Sequence, residues 1–310
     1  MKDSRQDKYI TLIGLGAVGA PLAHMLWTQY GDDFALLTSE DFLFTLEHLH
    51  INGENFEPNI FYKPEQLKKK IGIVFICVKN YHVENIASFL KSMIDEDTVI
   101  VPLQNGVYSY DYFSQEFPNN FVVEGFAQGP NTQILKNVYV YQKPGVFHIG
   151  TSNPNNRDKG LKAYSIMKDA NVDCYYDDDI KHAVWKKLML NTAGNAITAL
   201  TGIDYCMFGD SPEVQELCRD TMKEFAQVAK CKGLNLTDED IEDIMQYYLS
   251  FTVSKHTSML EDVINKRLTE NEFIAGYISK LADENNINAP NIKMLYALMK
   301  VKEQVYLNKI

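Results

Sequence analysis

A short apolar run, Tyr9-Ile10-Thr11-Leu12-Ile13, leads directly into Gly14-Leu15-Gly16-Ala17-Val18-Gly19. A G-x-G-x-x-G that follows a strand and opens a helix limits the folds open to this chain more than any other stretch. The first glycine allows a tight turn, the second lets the backbone approach a pyrophosphate, and the third lets the helix pack on the strand. The N–H groups at the helix start then face the anion. Glycines that served geometry alone would build the same strand-turn-helix, so the loop favours a nucleotide without naming a reaction.

Strand and helix patterns alternate after the loop. Residues 17–30 have helical spacing, 34–37 read as a buried strand, 71–78 as a central strand, 81–93 as a helix and 98–101 as a strand. Near-continuous apolar strands separated by helices imply a parallel sheet covered on both faces. Residues 121–150 break into short β-like pieces, expected at the far edge of the same sheet, and 152–158 read as a surface loop. From about Asp178 helical periodicity takes over, with helices expected over 179–200, 211–232, 237–251, 255–267, 270–285 and 290–307. Pro212 and Pro290 fall near helix starts, where a missing N–H costs little. The expected fold is α/β: a doubly wound parallel sheet over residues 1–178 that binds a dinucleotide, and an all-α substrate domain over 179–310. A length of 310 residues suits two domains of about 150 residues each. A cleft between two such domains is a common ligand site.

Composition narrows the partners. Thirty basic residues against 41 acidic ones give a net charge of −11, and no basic cluster suggests nucleic acid or a polybasic membrane contact. No apolar run reaches the roughly 18 residues of a membrane span, and the polar stretch 1–8 is unlike a secretory signal. A cytoplasmic protein with a small-molecule substrate is the expectation. Five cysteines without a C-x-x-C pair and seven histidines without H-E-x-x-H give no expectation of a disulfide framework or a metal.

The second informative stretch is Val184-Trp185-Lys186-Lys187-Leu188-Met189-Leu190-Asn191-Thr192-Ala193-Gly194-Asn195-Ala196. At about 100° per residue Lys187, Asn191 and Asn195 share a stripe with Ile180 and Val184, so an ammonium and two amides lie on an otherwise apolar face. A lysine against an apolar wall has its charged form disfavoured, which brings its proton closer to transferable near neutral pH. The alternative is that Lys187 snorkels to water and the asparagines satisfy neighbouring backbone. Asn105-Gly106 and Lys79 each follow a strand end, where a doubly wound sheet binds ligands, though a bare Asn-Gly is far more often a turn and a solvated lysine is the commoner case. Ser258 and Asp262 stand four apart on a helix. Thr269 with Glu272 reads as a capping box, and Glu270 as an acid at a positive helix end.

Taken in order, Gly14 to Gly19, Val78-Lys79, Gln104-Asn105-Gly106-Val107, Trp185 to Asn191, Thr257-Ser258-Met259-Leu260-Glu261-Asp262, and Thr269-Glu270 with Gly276 resemble the ketopantoate reductase family. The resemblance spans nearly the whole chain, and its later motifs are more specific than the glycine loop. It implies a Rossmann-type first domain and hydride transfer from NADPH to the ketone of 2-dehydropantoate, giving pantoate for pantothenate synthesis. It implies Lys187 as proton donor and Glu270 as a group that helps bind cofactor and substrate. It assigns the cofactor to Gly14, Leu15, Gly16, Ala17, Val18, Gly19, Thr38, Ser39, Lys79 and Asn105, and substrate to Asn105, Lys187, Asn191, Asn195 and Ser258.

Two departures qualify that expectation. Where the family commonly carries an arginine for the 2′-phosphate of NADP, this chain reads Leu37-Thr38-Ser39-Glu40-Asp41, which leaves NAD(H) open beside NADP(H). Tyr205, Lys255 and Ala275 stand about where many members place asparagines, so the pocket is expected to be reshaped, with Lys255 adding a cation for substrate. A dehydrogenase of the β-hydroxyacid type acting on another 2-keto acid, and a nucleotide-responsive binding protein without turnover, are the alternatives. The long C-terminal helices leave a homodimer open.

Overall fold

The computed structural model describes residues 7–39, 49–135 and 138–309. The chain separates into two compact units, residues 1–181 and 182–310.

The first unit is built on a six-stranded, all-parallel sheet with the spatial order Asn59–Phe61, Phe34–Leu37, Lys8–Ile13, Lys70–Ile76, Val99–Pro102, Phe121–Val122. The order reverses between Lys8–Ile13 and Lys70–Ile76, and ligands bind at the carboxyl ends of strands beside such a reversal. Successive side chains leave opposite faces. Ile10, Leu12, Ile73 and Phe75 join one core with Leu22 and Leu26 of the helix Gly19–Tyr30 and Ile166 of the helix Arg157–Asp169. Tyr9, Ile13, Val74 and Ile76 join the other with Val83 and Leu90 of the helix Val83–Met93 and Phe113 of Tyr108–Glu116. Burial on both faces is why these strands read as unbroken apolar runs.

The segment 121–150 departs from the sequence reading. Among its described residues only the strand Phe121–Val122 pairs with the main sheet. Glu124–Gln128, Val146–Gly150 and Cys174–Tyr176 form a separate three-stranded sheet, and Asn131–Leu135 with Val138–Lys143 forms a hairpin that joins His50–Ile51 and Glu54–Asn55. Short strands with few buried positions carry no signal for which partner they choose. The loop expected over 152–158 is a single turn at Pro154–Asn156 that runs into the helix Arg157–Asp169.

The second unit is helical. Its helices are Pro212–Ala229, Asp238–Leu249, Ser258–Ile264, Ala275–Glu284 and Pro290–Tyr306, joined to the helical run Ile180–Thr201. Pro212 and Pro290 occupy first-turn positions. The expected capping box at Thr269 is absent. Thr269 Oγ1 donates to the Glu303 carboxylate, and Glu272 is turned outward to Tyr296, whose hydroxyl donates to it over 2.6 Å. The Thr269 oxygen accepts from the Asn271 N–H at 3.1 Å instead of that of Glu272, and the helix Pro290–Tyr306 supplies the partners of both side chains. No helix among the described residues is long and apolar enough to cross a membrane.

Candidate active site

The glycine loop divides its work among three residues. Gly14 has φ +97°, and a Cβ there would stand 2.8 Å from Val78 Cγ1 and from the Val78 nitrogen. A Cβ on Gly19 would overlap the Gly14 carbonyl oxygen and press on Cys77. At Gly16 nothing among the described residues lies within 4 Å. The first and third glycines therefore have internal reasons, a left-handed turn and helix packing, whereas the second leaves open space above the backbone. The helix Gly19–Tyr30 begins without a side-chain cap and without an acid in its first turn, so its leading N–H groups suit an anion. An open glycine beside an uncapped helix start fits the pyrophosphate of a dinucleotide.

Around that loop the structure adds residues with no obvious sequence signal. Thr132, on the distant hairpin, donates 2.7 Å to the Ala17 carbonyl and ties the loop down. Asn80, next to Lys79, is buried and donates 2.8 Å to the Asn105 carbonyl, which joins the ends of two neighbouring strands. Gln104 is buried with both amide atoms unpartnered among the described residues. Lys79 and Asn105 are half-buried, and Gly106 takes the positive φ of +86° that its turn requires. Thr38 and Ser39 lie past the strand Phe34–Leu37, where the Thr38 N–H donates 3.1 Å to Phe61 and its hydroxyl turns to the Ser39 carbonyl. Glu40 and Asp41 lie outside the described residues.

In the helical unit, Lys187 sits on the helix Ile180–Leu190. Part of the residue is open to solvent, but protein surrounds its ammonium, and burial lowers its pKa to about 8 against the opposing pull of the Glu270 carboxylate. Glu270 itself is 4% exposed. One turn and two turns beyond Lys187 come Asn191 and Asn195, 7% and 2% exposed, each with its Nδ2 buried and without an acceptor among the described residues. These nitrogens do not satisfy nearby backbone.

Ser258 is exposed and opens a helix capped by Thr257, which accepts from Leu260 N at 3.1 Å. Thr257 also shares a 2.8 Å hydrogen bond with Thr198, whose hydroxyl donates to the Asn195 carbonyl, so the Ser258 turn is anchored to the asparagine segment. Asp262, by contrast, is paired with Arg267 at 3.0 Å and has a structural task. Lys255 lies over the Phe251 ring at 5.5 Å, and its carbonyl accepts from Tyr205 N. Tyr205 stacks on Phe251 with centroids 4.7 Å apart, and Ala275 is buried at the start of its helix. The helical unit thus gathers an enclosed amine, a buried carboxylate and two idle amide donors.

Family models agree along the length of the chain. Residues 10–154 match the model described as ketopantoate reductase PanE/ApbA, and residues 179–303 match its C-terminal counterpart. The chain belongs to the ketopantoate reductase family. A 2-dehydropantoate 2-reductase of Yersinia pestis is 27% identical to it over 300 residues, covering 96% of each chain. The solved 2-dehydropantoate 2-reductase of Methylococcus capsulatus superposes with a TM-score of 0.83 at 22% identity, over 96% of this chain and 97% of that one. A D-mandelate dehydrogenase solved with NADH and anilino(oxo)acetate superposes with a TM-score of 0.84 at 18% identity, over 96% and 99%. Membership makes this ketopantoate reductase family chain an oxidoreductase that depends on a nicotinamide dinucleotide.

Proposed function

We propose that the chain reduces the ketone of a 2-keto acid, 2-dehydropantoate in the first place, to the 2-hydroxy acid, with NADPH as reductant. One observation carries this reading: an enclosed Lys187 ammonium with a pKa near 8, followed along its helix by two buried amide groups that have donors to spare. A 2-keto acid offers a carboxylate and a carbonyl oxygen, the acceptors those donors lack. When bound, the reduced nicotinamide supplies the hydride. As negative charge grows on the substrate oxygen, Lys187 Nζ donates a proton to it, and a donor already in place stabilises that charge without reorganising. Glu270 favours the charged amine and so keeps the proton on Lys187 until it is needed. Asn191, Asn195 and Ser258 hold the carboxylate and hydroxyl groups, and Lys255 adds a positive charge. On the dinucleotide side, Gly14 to Gly19 cradle the pyrophosphate, while Lys79, Asn105, Thr38 and Ser39 contact the rest of the cofactor.

A second reading concerns substrate shape. Tyr205 stands about where an asparagine is common in the family and is buried against Phe251 and Tyr248, so an amide is exchanged for an aromatic wall, which favours a keto acid with a more apolar substituent. Initial rates followed by reduced-cofactor absorbance, with 2-dehydropantoate and aromatic and branched 2-keto acids against NADPH and NADH, test all parts together. The highest kcat/KM is expected for 2-dehydropantoate with NADPH. Preference for an aromatic acid replaces the substrate, preference for NADH replaces the cofactor, and tight dinucleotide binding without turnover of any acid defeats the enzymatic reading.

A further inference from the structure

The helix that carries Lys187 is not regular. Between Ile180–Leu190 and Ala196–Thr201 the backbone widens into a π-turn over Asn191–Asn195. Its cause stands on another helix. Tyr248, fully buried on Asp238–Leu249, donates through its hydroxyl to the Leu190 carbonyl at 2.5 Å and accepts from the Gly194 N–H. A side-chain hydroxyl has thus entered the backbone ladder, which is a known way to open a helix. Gly194 is what admits it: a Cβ at that position would overlap the tyrosine oxygen and stand 2.6 Å from the ring Cζ. The ring is braced by Phe208 at 4.7 Å and Tyr205 at 5.6 Å between centroids.

The wider turn changes where Asn195 points. In an uninterrupted α-helix Asn191 lies about 40° and Asn195 about 80° round from Lys187. A π-turn has more residues per turn than an α-helix, so each of its residues advances by less than about 100°, which turns Asn195 back toward the Lys187 direction. The three side chains then line one narrow strip instead of fanning over a quarter of the helix. We propose that Tyr248 is a positioning residue, its hydroxyl wedged between Leu190 and Gly194 to bring the Asn195 amide into line with Lys187. The proposal rests on the reading that Asn195 holds the keto acid.

The test combines the variants Tyr248→Phe, Gly194→Ala and Asn195→Ala in the full-length protein. Tyr248→Phe keeps the ring and its stacking but removes the wedge. It is expected to raise the KM for the keto acid about tenfold and lower kcat several-fold, with the Kd for reduced dinucleotide within about twofold of wild type. Gly194→Ala excludes the hydroxyl by a different route and should reproduce that pattern. Asn195→Ala should raise KM in the wild-type background but by less than about twofold in Tyr248→Phe, because the two residues act through one contact. A Tyr248→Phe protein with wild-type KM and kcat overturns the wedge alone, as does full additivity with Asn195→Ala. An Asn195→Ala protein with wild-type KM overturns the wedge together with the substrate assignment beneath it.

Discussion

Single atoms separate the glycines of the dinucleotide loop. Because no described residue lies within 4 Å of a Cβ at Gly16, Gly16→Ala is expected to fold with an unchanged Tm while its Kd for dinucleotide rises at least about tenfold. Gly19→Ala drives a Cβ into the Gly14 carbonyl and should lower Tm by several degrees before any ligand is added. Thermal unfolding and fluorescence titration of the two variants separate the roles. Lys187 carries the second prediction. A general acid works while protonated, so kcat/KM should be flat below a pKa of about 8 and fall about tenfold per pH unit above it. Lys187→Ala should lower kcat about a hundredfold or more with cofactor Kd unchanged. The folded-state pKa lies below the usual 10.5, so the buried charge costs stability below pH 8, and that cost disappears as pH rises from 8 to 10.5. Lys187→Met should therefore be inactive yet more stable at pH 7 by on the order of 2 kcal/mol once its partial exposure is allowed for, readable in urea unfolding. Apolar neighbours at helical spacing already pointed to the lowered pKa. The orphan amides did not emerge from spacing, because whether a donor finds an acceptor depends on chain brought in from elsewhere.

At the scale of elements, Asp240 holds the Lys187 helix in place. Its carboxylate accepts from the Thr237 N–H at 2.9 Å, completing the cap of Asp238–Leu249, and meets His182 and Lys186 of the helix Ile180–Leu190, each at 3.0 Å. Burial alone would push this carboxyl up, but the hydrogen bonds from Thr237, His182 and Lys186 outweigh it and bring the pKa down to about 2. The folded value lies below the unfolded 3.8, so the stabilisation is complete above pH 3.8 and is lost as pH falls through 2. Asp240→Asn should cost about 2 kcal/mol in urea unfolding at pH 7, with a smaller deficit at pH 3. An equal deficit at both pH values would remove the ionic part of this explanation. Element types were legible wherever burial imposed a period, as in the central strands and the helices from Pro212 onward. The capping box at Thr269 misled because Glu303, far along the chain, takes the threonine hydroxyl. The pieces within 121–150 misled because strands of two to six residues leave their pairing to tertiary partners.

For the whole molecule, ligand linkage gives a direct check on the cofactor. A dinucleotide that binds only the folded chain should add about 2.7 kcal/mol to unfolding at a concentration of 100 Kd, and the preferred cofactor should raise Tm at the lower concentration. NADPH is expected to do so ahead of NADH, and the reverse order would assign the ribose site to NADH. What the sequence determined by itself was whatever repeats along the chain or sits in a short motif: strand-loop-helix at Gly14 to Gly19, sheet followed by helices, and a lysine with two asparagines on one helix. Such features are local, since backbone sterics and the 3.6- and 2-residue periods act over a few residues. Only the tertiary structure decided that Thr132 pins the loop, that Glu270 faces Lys187, and that Tyr248 opens the helix beneath Asn195. Each of these joins residues 54 to 115 positions apart, where the partner is selected by packing and hydrogen-bond satisfaction rather than by chain neighbours.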